Sequence, residues 1–216
     1  MVKRIILSSH REWLDSRKNR IGGSDASAIL GMNPYKSNVD LWLEKRGEIE
    51  TEDISDKPYV QYGTNAEYYL RELFKLDFPQ YKVEYYENNM IINDKYPFAH
   101  ASLDGELTDE EGRKGILEIK TTNILQSMQK EKWKDKIPDN YYIQILHYLM
   151  VTEYDFVVLK AQLKSEFNQD VYLQTKHYFI EREEVLEDIE YLIKEEIKFY
   201  NLLEKGIRPN LILPEI

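Results

Sequence analysis

ASLDGELTDEEGRKGILEIKTT, residues 101–122, predicts two short strands separated by a polar turn. In ILEIK, the alternation of a strand places Glu118 and Lys120 on the same face, roughly 7 Å apart along the chain. A hairpin-like return through the polar turn would bring Asp104 beside Glu118. The stretch therefore predicts that two carboxylates and one ammonium meet at a strand end. Asp104 itself is expected to end a strand and to enter a turn at Gly105.

This combination of side chains suits phosphodiester hydrolysis. Mg²⁺ binds to one or two carboxylates, keeps several waters and takes further ligands from the substrate phosphate. The bound metal acidifies a water, and a nearby lysine can orient or deprotonate that water. The alternative is a solvated strand face with an ordinary Glu–Lys pair, since an aspartate followed by Glu-x-Lys occurs by chance in charge-rich chains. On this motif alone, both interpretations stay open.

A predicted amphipathic helix adds a third carboxylate. Apolar residues recur at helical spacing over residues 60–78, and Glu67 shares the side of Leu70 and Phe74. An unpaired carboxylate is costly to bury on that side. Glu67 is therefore expected either to share a metal or to pair with Arg71 or a lysine.

A second predicted helix, over residues 140–152, carries a polar stripe. Gln144, His147 and Tyr148 line one side of it, and the opposite side is apolar. These three residues either contact the substrate or form a hydrogen-bonded polar stripe, and the helix pattern favours neither alternative.

Composition excludes several classes of protein. The chain has 216 residues with 42% hydrophobic content, which predicts one domain over residues 1–216. With no cysteine, disulfides, thiolate zinc sites, iron–sulfur clusters and cysteine nucleophiles are excluded. No apolar run is long enough to cross a bilayer, and the N-terminus does not match a signal peptide, so we expect a soluble cytoplasmic protein with no membrane partner.

Charge is unevenly distributed along the chain. The net charge of -10 argues against a generic nucleic-acid coat, although a carboxylate-rich site can face DNA when metal ions intervene. Acidic residues concentrate in residues 50–56 and 181–196, whereas residues 16–20 and 129–136 are locally basic. Separate negative and positive surfaces are therefore expected.

The order of predicted elements indicates an α/β protein. Helices come first, then a strand cluster, a helix, two strands and a closing helix, a mixture that suits a sheet flanked by helices. The acidic stretch over residues 48–58 is expected to form a surface loop. The predicted strands lie within residues 82–93, 98–107, 115–122, 154–163 and 171–182, and the closing helix spans residues 182–204.

RIGGSDASAILG, residues 20–31, is a turn leading into a short helix. It lacks the lysine of a nucleotide-binding P-loop. Ser24 is a suitable N-cap for a helix over residues 25–30, and Gly31 is suited to end that helix. Free backbone N–H groups at such a helix start, with the Ser24 hydroxyl and an arginine, would also suit a phosphate, although the residues alone favour simple capping. Capping and phosphate binding do not exclude each other.

Five segments, in this order over about residues 13–151, resemble the lambda exonuclease and YqaJ-like viral recombinase family of the restriction-endonuclease-like nuclease superfamily. They are SRKNRIGGSDASAILG, YGTNAE, SLDG, LEIK and YYIQILHYLMV. The resemblance implies a central mixed β-sheet flanked by helices and Mg²⁺-dependent digestion of linear double-stranded DNA from the 5′ end, with Mn²⁺ as a substitute. It also implies a ring-shaped homotrimer, phage or prophage origin, a bacterial cytoplasmic location, and a single-strand annealing protein as partner.

The resemblance also assigns roles to individual residues. Asp104 and Glu118 would be metal ligands, with the carbonyl of Ile119 a further one. Lys120 would position or activate the attacking water, and Glu67 would support the metal centre. The implied contacts to DNA and its 5′-phosphate are Arg17, Ser24 and Gln144. His147 and Tyr148, from the polar stripe, are candidate supporting residues, and the role of His147 stays open.

Two other functions are compatible with this fold. One is a sequence-specific endonuclease, and the other is a catalytically silent DNA-binding or recombinase-docking module. The arginine and serine that match the family's 5′-phosphate site favour an exonuclease, and the intact carboxylate and lysine set argues against a silent module. A hydrolase of sugars built on a carboxylate pair is poorly supported, because its mechanism has no required place for the lysine.

Overall fold

A computed structural model of the protein describes residues 1–50 and 53–213. In chain order the elements are β1 (Val2–Ile6), α1 (His10–Lys18), α2 (Gly23–Ile29), α3 (Asn38–Lys45), α4 (Pro58–Asp77), β2 (Lys82–Glu84), β3 (Asn89–Asn93), β4 (Tyr96–Ala101), β5 (Gly105–Thr108), β6 (Lys114–Asn123), α5 (Ser127–Glu131), α6 (Asp139–Thr152), β7 (Phe156–Phe167), β8 (Asp170–Glu181), a 3₁₀ turn (Arg182–Val185) and α7 (Leu186–Glu204).

Within the described residues, five strands form a mixed sheet in the order β2-β5-β6-β7-β8. Strands β6 and β7 are parallel, and the other pairs are antiparallel. Because parallel neighbours need a long crossover, the chain between β6 and β7 contains α5 and α6. Strands β1, β3 and β4 form a second, antiparallel sheet. The predicted architecture, a mixed sheet flanked by helices, is confirmed.

Strand β6 separates two hydrophobic cores through its alternation. Ile116 faces the larger core, which includes α2, α6 and α7. Leu117 and Ile119 face a smaller core beneath α4, where they pack near Leu70 and Phe74. Each fully buried aliphatic side chain of this kind contributes about 1.5–3 kcal/mol. The predicted period of two in ILEIK is therefore confirmed.

Helix α6 is the central helix of the larger core. Its residues 143–152 are all buried, including the polar ones. The predicted boundaries of this helix, and those of the helix over residues 60–78, agree with the structure within two residues. None of the described helices is long and apolar enough to cross a membrane.

The predicted turn at Gly105 is wrong. Gly105 begins β5 and pairs with Leu117 of β6, and a Cβ on Gly105 would lie 3.2 Å from the Cβ of Leu117. The glycine therefore serves close packing between strands. The chain reverses instead after β5, where Gly112 has φ +83°.

The predicted strands over residues 82–93 and 98–107 each divide into two, at residues 85–88 and 102–104.

Two further boundaries differ from prediction. The closing helix begins as the 3₁₀ turn at Arg182–Val185 before α7. Of the predicted surface loop over residues 48–58, residues 51 and 52 lie outside the described residues, and Pro58 already begins α4. Pro58 occupies the first helical position, where its missing N–H would have no intrahelical partner in any case.

Candidate active site

Asp104 and Glu118 lie next to each other where β5 begins alongside β6. The strand register pairs Gly105 with Leu117, so the residue before β5 comes beside the next residues of β6. An oxygen of the Asp104 carboxylate accepts a hydrogen bond from the backbone N–H of Ile119 at 2.8 Å. The return of the chain that the sequence predicts is confirmed.

Lys120 and Gln144 both hold the Glu118 carboxylate. The Lys120 Nζ lies 2.6 Å from Oε1 of Glu118, and Gln144 donates to the same oxygen at 2.9 Å. Gln144 also donates to the Tyr148 hydroxyl at 2.8 Å. Glu118 is 2% exposed. Gln144 and Tyr148 thus form the hydrogen-bonded polar stripe that was one of the two alternatives for α6.

Glu67 pairs with Arg71, one turn further along α4. The distance between Oε1 of Glu67 and Nη1 of Arg71 is 2.9 Å. The same guanidinium donates to the backbone carbonyl of Asp104 at 2.7 Å and stacks 3.7 Å from the centre of the Tyr85 ring. Arg71 therefore ties α4 to the start of β5. Sequence reasoning named Arg71 only as a partner for Glu67, because its contact with Asp104 spans 33 positions of the chain.

The carboxylates of the site repel one another. Burial, followed by the charges of Glu118 and Glu67, raises the pKa of Asp104 well above its usual range. Burial also raises the pKa of Glu118, although Lys120 opposes this shift. For Lys120, burial would lower the pKa, but the charges of Glu118 and Asp104 outweigh burial and raise the pKa above its usual value. The site thus holds more negative charge than Lys120 neutralises.

These residues fit a hard divalent cation. The second carboxylate oxygen of Glu118 is buried and has no hydrogen-bond partner among residues 1–50 and 53–213, a costly state for a charged oxygen. A dication would satisfy that oxygen and offset the repulsion that raises the pKa of Asp104. The described residues contain no preformed cage of three or more histidine, aspartate or glutamate ligands. Mg²⁺ does not require one, since one or two carboxylates with waters suffice.

An open cleft of ≈ 280 Å³ gives access to the carboxylates of Asp104 and Glu67. Asp104, Ile119 and Lys120 line its floor together with Glu67 from α4. The cleft therefore brings together four of the five residues predicted to be catalytic or metal-binding, and the fifth, Glu118, lies behind them bound to Lys120. The other lining residues are Tyr59, Val60, Gly63, Thr64 and Thr121.

The predicted N-cap at Ser24 is wrong. Helix α2 begins at Gly23, with Gly22 as its N-cap, and Ser24 is an exposed residue of the first turn. The Asp25 carboxylate accepts from the Gly22 N–H at 3.1 Å, so the cap is supplied from inside the helix. The predicted end of the helix is confirmed, because Gly31 follows it with φ +72°.

Arg17 is held against the ring of Trp13 on α1. Its guanidinium carbon lies 4.3 Å from the centre of the ring. The indole N–H of Trp13 donates to the hydroxyl of Ser102 at 3.2 Å, two residues before Asp104. Arg17 therefore packs on a ring that is hydrogen-bonded to the segment just before Asp104.

Lys45 connects the segment of Arg17 with that of Ser24. Its Nζ lies 2.8 Å from the Asp25 carboxylate and donates to the backbone carbonyls of Arg20, at 2.6 Å, and Arg17, at 3.3 Å. Sequence reasoning missed Lys45, since no local pattern links this last residue of α3 to the start of α2.

The hydrogen bonds of His147 are not to the active-site carboxylates of Asp104 and Glu118. Its Nδ1 lies 2.7 Å from the Glu196 carboxylate of α7, and its Nε2 donates to the backbone carbonyl of His100 at 2.9 Å. Both side chains of the His147–Glu196 pair are completely buried. The histidine of the polar stripe therefore joins α6 to α7 and β4 rather than to the cleft.

Replacing Gly23 with alanine is expected to disturb the Gln144–Tyr148 pair. A Cβ at Gly23 would lie 2.5 Å from Cε1 of Tyr148 and 2.9 Å from Cγ of Gln144, both buried side chains. Overpacking of this kind costs about 1–3 kcal/mol, and we expect a lower Tm in thermal unfolding. Ser24→Ala is the matched control, because Ser24 is exposed and its truncation should leave Tm unchanged. An unchanged Tm for Gly23→Ala would show that α2 does not pack on α6 this closely.

A family model and a curated relative match this chain. Residues 12–155 match the family model described as the YqaJ-like viral recombinase domain. The protein named "Uncharacterized protein YqaJ" from Bacillus subtilis (strain 168) is 32% identical over 194 residues, which is 89% of this chain and 56% of the relative. The chain thus spans about half the length of this relative.

Two solved structures share the fold. The alkaline exonuclease LHK-Exo from Laribacter hongkongensis is 19% identical, with a TM-score of 0.66 over 91% of this chain and 93% of that one. A phage related exonuclease from Haemophilus somnus 129PT is 14% identical, with a TM-score of 0.53 over 87% of this chain and 96% of that one. These likenesses confirm the restriction-endonuclease-like core implied by the resemblance.

Proposed function

The chain belongs to the YqaJ-like viral recombinase domain family, and on this premise we propose that it is a Mg²⁺-dependent exonuclease that digests linear double-stranded DNA from the 5′ end. The observation that carries the proposal is the clustering of Asp104, Glu118 and Lys120 where β5 begins beside β6, with Asp104 and Lys120 lining one cleft and Glu118 bound to Lys120. The two structural neighbours, which are named as exonucleases, support the same reaction class.

The biological setting is part of the proposal. Digestion from the 5′ end leaves a single strand, which a single-strand annealing protein would receive in phage- or prophage-type recombination in the bacterial cytoplasm. We propose a homotrimer as the working assembly, as the resemblance implies. A module without catalysis would have no need for a buried carboxylate pair, which costs stability unless a cation or a reaction uses it.

Asp104 and Glu118 would hold the metal, with the Ile119 carbonyl as a further ligand. Mg²⁺ bound there would acidify a water and offset the negative charge that develops on the phosphate. Mn²⁺ is expected to substitute, because carboxylate, carbonyl and water oxygens suit both ions.

Lys120 would orient the attacking water and stabilise negative charge on the phosphate. Glu118 holds the Lys120 ammonium at 2.6 Å, and Gln144 holds Glu118 in turn, so the position of the ammonium is set before DNA arrives. Preorganisation of this kind is effective because the charged groups need not reorganise during the reaction.

Glu67 and Arg71 would act on the position of Asp104. Glu67 holds the guanidinium of Arg71, which in turn holds the Asp104 carbonyl. This chain of contacts supports the predicted role of Glu67 at the metal centre as one of positioning.

Arg17 and Ser24 would bind the terminal 5′-phosphate. Arg17 keeps its guanidinium on the Trp13 ring, with no carboxylate partner in the described chain, and the Ser24 hydroxyl is exposed. A guanidinium and a hydroxyl are suitable donors to phosphate oxygens. Recognition of a terminal phosphate would direct the enzyme to DNA ends.

The test is digestion of three DNA forms with Mg²⁺, Mn²⁺ or a chelator. We expect a linear duplex with a 5′-phosphate to be digested fastest, a linear duplex with a 5′-hydroxyl more slowly, and a closed circular plasmid not at all. The chelator should abolish digestion, and Mn²⁺ should restore it. Cutting of the closed circle would instead indicate an endonuclease, and no digestion under any condition would indicate a silent DNA-binding module.

A further inference from the structure

A basic segment, residues 126–136, follows the strand that carries Glu118 and Lys120. It contains α5 and the turns after it, and its only acidic residues are Glu131 and Asp135. The segment therefore carries a net charge of +2, from four lysines and two acids, in a chain whose net charge is -10. Its lysines, all exposed, are Lys130, Lys132, Lys134 and Lys136.

The four lysines of the basic segment have no carboxylate partner among residues 1–50 and 53–213. Most other lysines of the described chain do form ion pairs, such as Lys45 with Asp25 at 2.8 Å and Lys95 with Glu153 at 2.6 Å. The basic segment thus presents positive charge that the fold itself does not neutralise.

A buried tryptophan fixes the basic segment to the body of the protein. Trp133 is 2% exposed, and its ring lies 5.5 Å from the ring of Tyr141 and 6.1 Å from that of Tyr178. Its backbone carbonyl accepts hydrogen bonds from Lys176 and Tyr178 of β8. The lysines on both sides of Trp133 therefore point outward from a fixed backbone.

The anchor of the basic segment borders the candidate active site. The ring of Tyr141, which packs on Trp133, lies with its centre 5.2 Å from Nζ of Lys120. The chain also enters the segment from the end of β6, where Thr121 lines the cleft. A DNA strand that reaches Lys120 would therefore have this positive surface beside it.

We propose that the basic segment binds the phosphate backbone of the DNA substrate next to the cleft. The inference rests on the proposed nuclease function and adds a location for backbone binding. Lysine ammonium groups contact phosphates without reading sequence, which suits an enzyme that must move along any duplex. Because the chain as a whole carries a net charge of -10, this positive surface also favours DNA approach from the side of the cleft.

The test is the salt dependence of DNA binding in a chelator, which prevents hydrolysis. The variant Lys130→Gln/Lys132→Gln/Lys134→Gln/Lys136→Gln is compared with the unchanged protein on a linear duplex by fluorescence anisotropy. The slope of log K against log salt concentration changes by about 0.9 for each phosphate contact, so we expect it to fall by about 2–4 in magnitude.

A matched control removes the same charge elsewhere. The four substituted residues in the control are exposed, ion-paired lysines outside the basic segment, and we expect its slope to stay within about 1 of the unchanged protein. A third variant with arginine at the four positions of the basic segment should keep the original slope. The control substitutions are Lys3→Gln, Lys82→Gln, Lys95→Gln and Lys198→Gln.

Two results would overturn the inference. One is an equal loss of slope in both glutamine variants, which would mean that net charge alone matters. The other is an unchanged slope in the glutamine variant of the basic segment. If that variant also changed its oligomeric state, the four lysines would belong to a contact between protein subunits. Failure of the proposed function is separate, since it would appear as an absence of digestion by the unchanged protein with Mg²⁺.

Discussion

Lys120→Ala is expected to slow the digestion of linear duplex DNA by about 10³-fold, measured in single turnovers with Mg²⁺. The substitution removes the ammonium that lies 2.6 Å from Glu118 and borders the cleft. Lys114→Ala is the matched control on the same strand, because the Lys114 ammonium bonds to Thr108 outside the cleft and its loss should leave the rate unchanged. Equal rates for Lys120→Ala and the unchanged protein would reject the site.

A second variant tests whether the loss of stability comes from the unpaired Glu118 carboxylate. Removing Lys120 leaves the buried Glu118 carboxylate without its cation, and such loss of one partner costs about 3–5 kcal/mol. The double variant Lys120→Ala/Glu118→Gln removes that unpaired charge and should recover Tm while remaining inactive. Recovery of activity together with Tm would mean that the reaction needs neither the Lys120 ammonium nor the Glu118 charge.

Asp104→Asn is expected to abolish digestion and at the same time to raise Tm in a chelator at neutral pH. Burial and the charges of Glu118 and Glu67 raise the pKa of Asp104 in the folded state. A group of this kind adds stability only in its protonated form, and that stability is lost as pH rises through the folded pKa. Asparagine stays neutral and can still accept the hydrogen bond from Ile119.

The gain in Tm should depend on pH. Each kcal/mol gained raises Tm by about 2–4 °C in a chain of this length. The advantage of Asp104→Asn should shrink as pH falls below the folded pKa, where the aspartate is itself protonated. Asp109→Asn is the control with the opposite sign: hydrogen bonds from Arg113 outweigh burial and lower the pKa of Asp109, so its neutralisation should lower Tm. A lower Tm for Asp104→Asn would contradict the repulsion among the carboxylates.

The two predictions describe one property of this fold. A site that gathers three carboxylates near one lysine and one arginine is unfavourable for the isolated chain, and the surrounding cores must compensate for it. Glu118 is surrounded by buried side chains, and Arg71 holds Asp104 from α4. Stability and hydrolysis should therefore respond in opposite directions to neutralisation at Asp104.

Several parts of the site could be predicted from short segments of sequence. The period of two in ILEIK placed Glu118 and Lys120 on one strand face, and helical spacing placed Glu67 on the buried side of α4. The return of Asp104 to Glu118 needed only a short polar turn. These features follow from local geometry, because the alternation of a strand and the repeat of a helix are properties of consecutive residues.

Other features depended on contacts between distant residues. Glycine at position 105 predicts a turn from sequence, but close packing against Leu117 of β6 places it in strand β5. Ser24 reads as a cap, but Asp25 supplies the cap, and its carboxylate is held by Lys45 from α3. The sequence pattern groups His147 with Gln144 on one polar stripe, yet its partner is Glu196.

The amino-acid sequence by itself determined the strand face, the helices and the identity of the reactive groups, since these follow from local periodicity and side-chain chemistry. Only the tertiary structure decided which of several equivalent polar residues become partners, because that choice is made by packing between elements far apart in the chain.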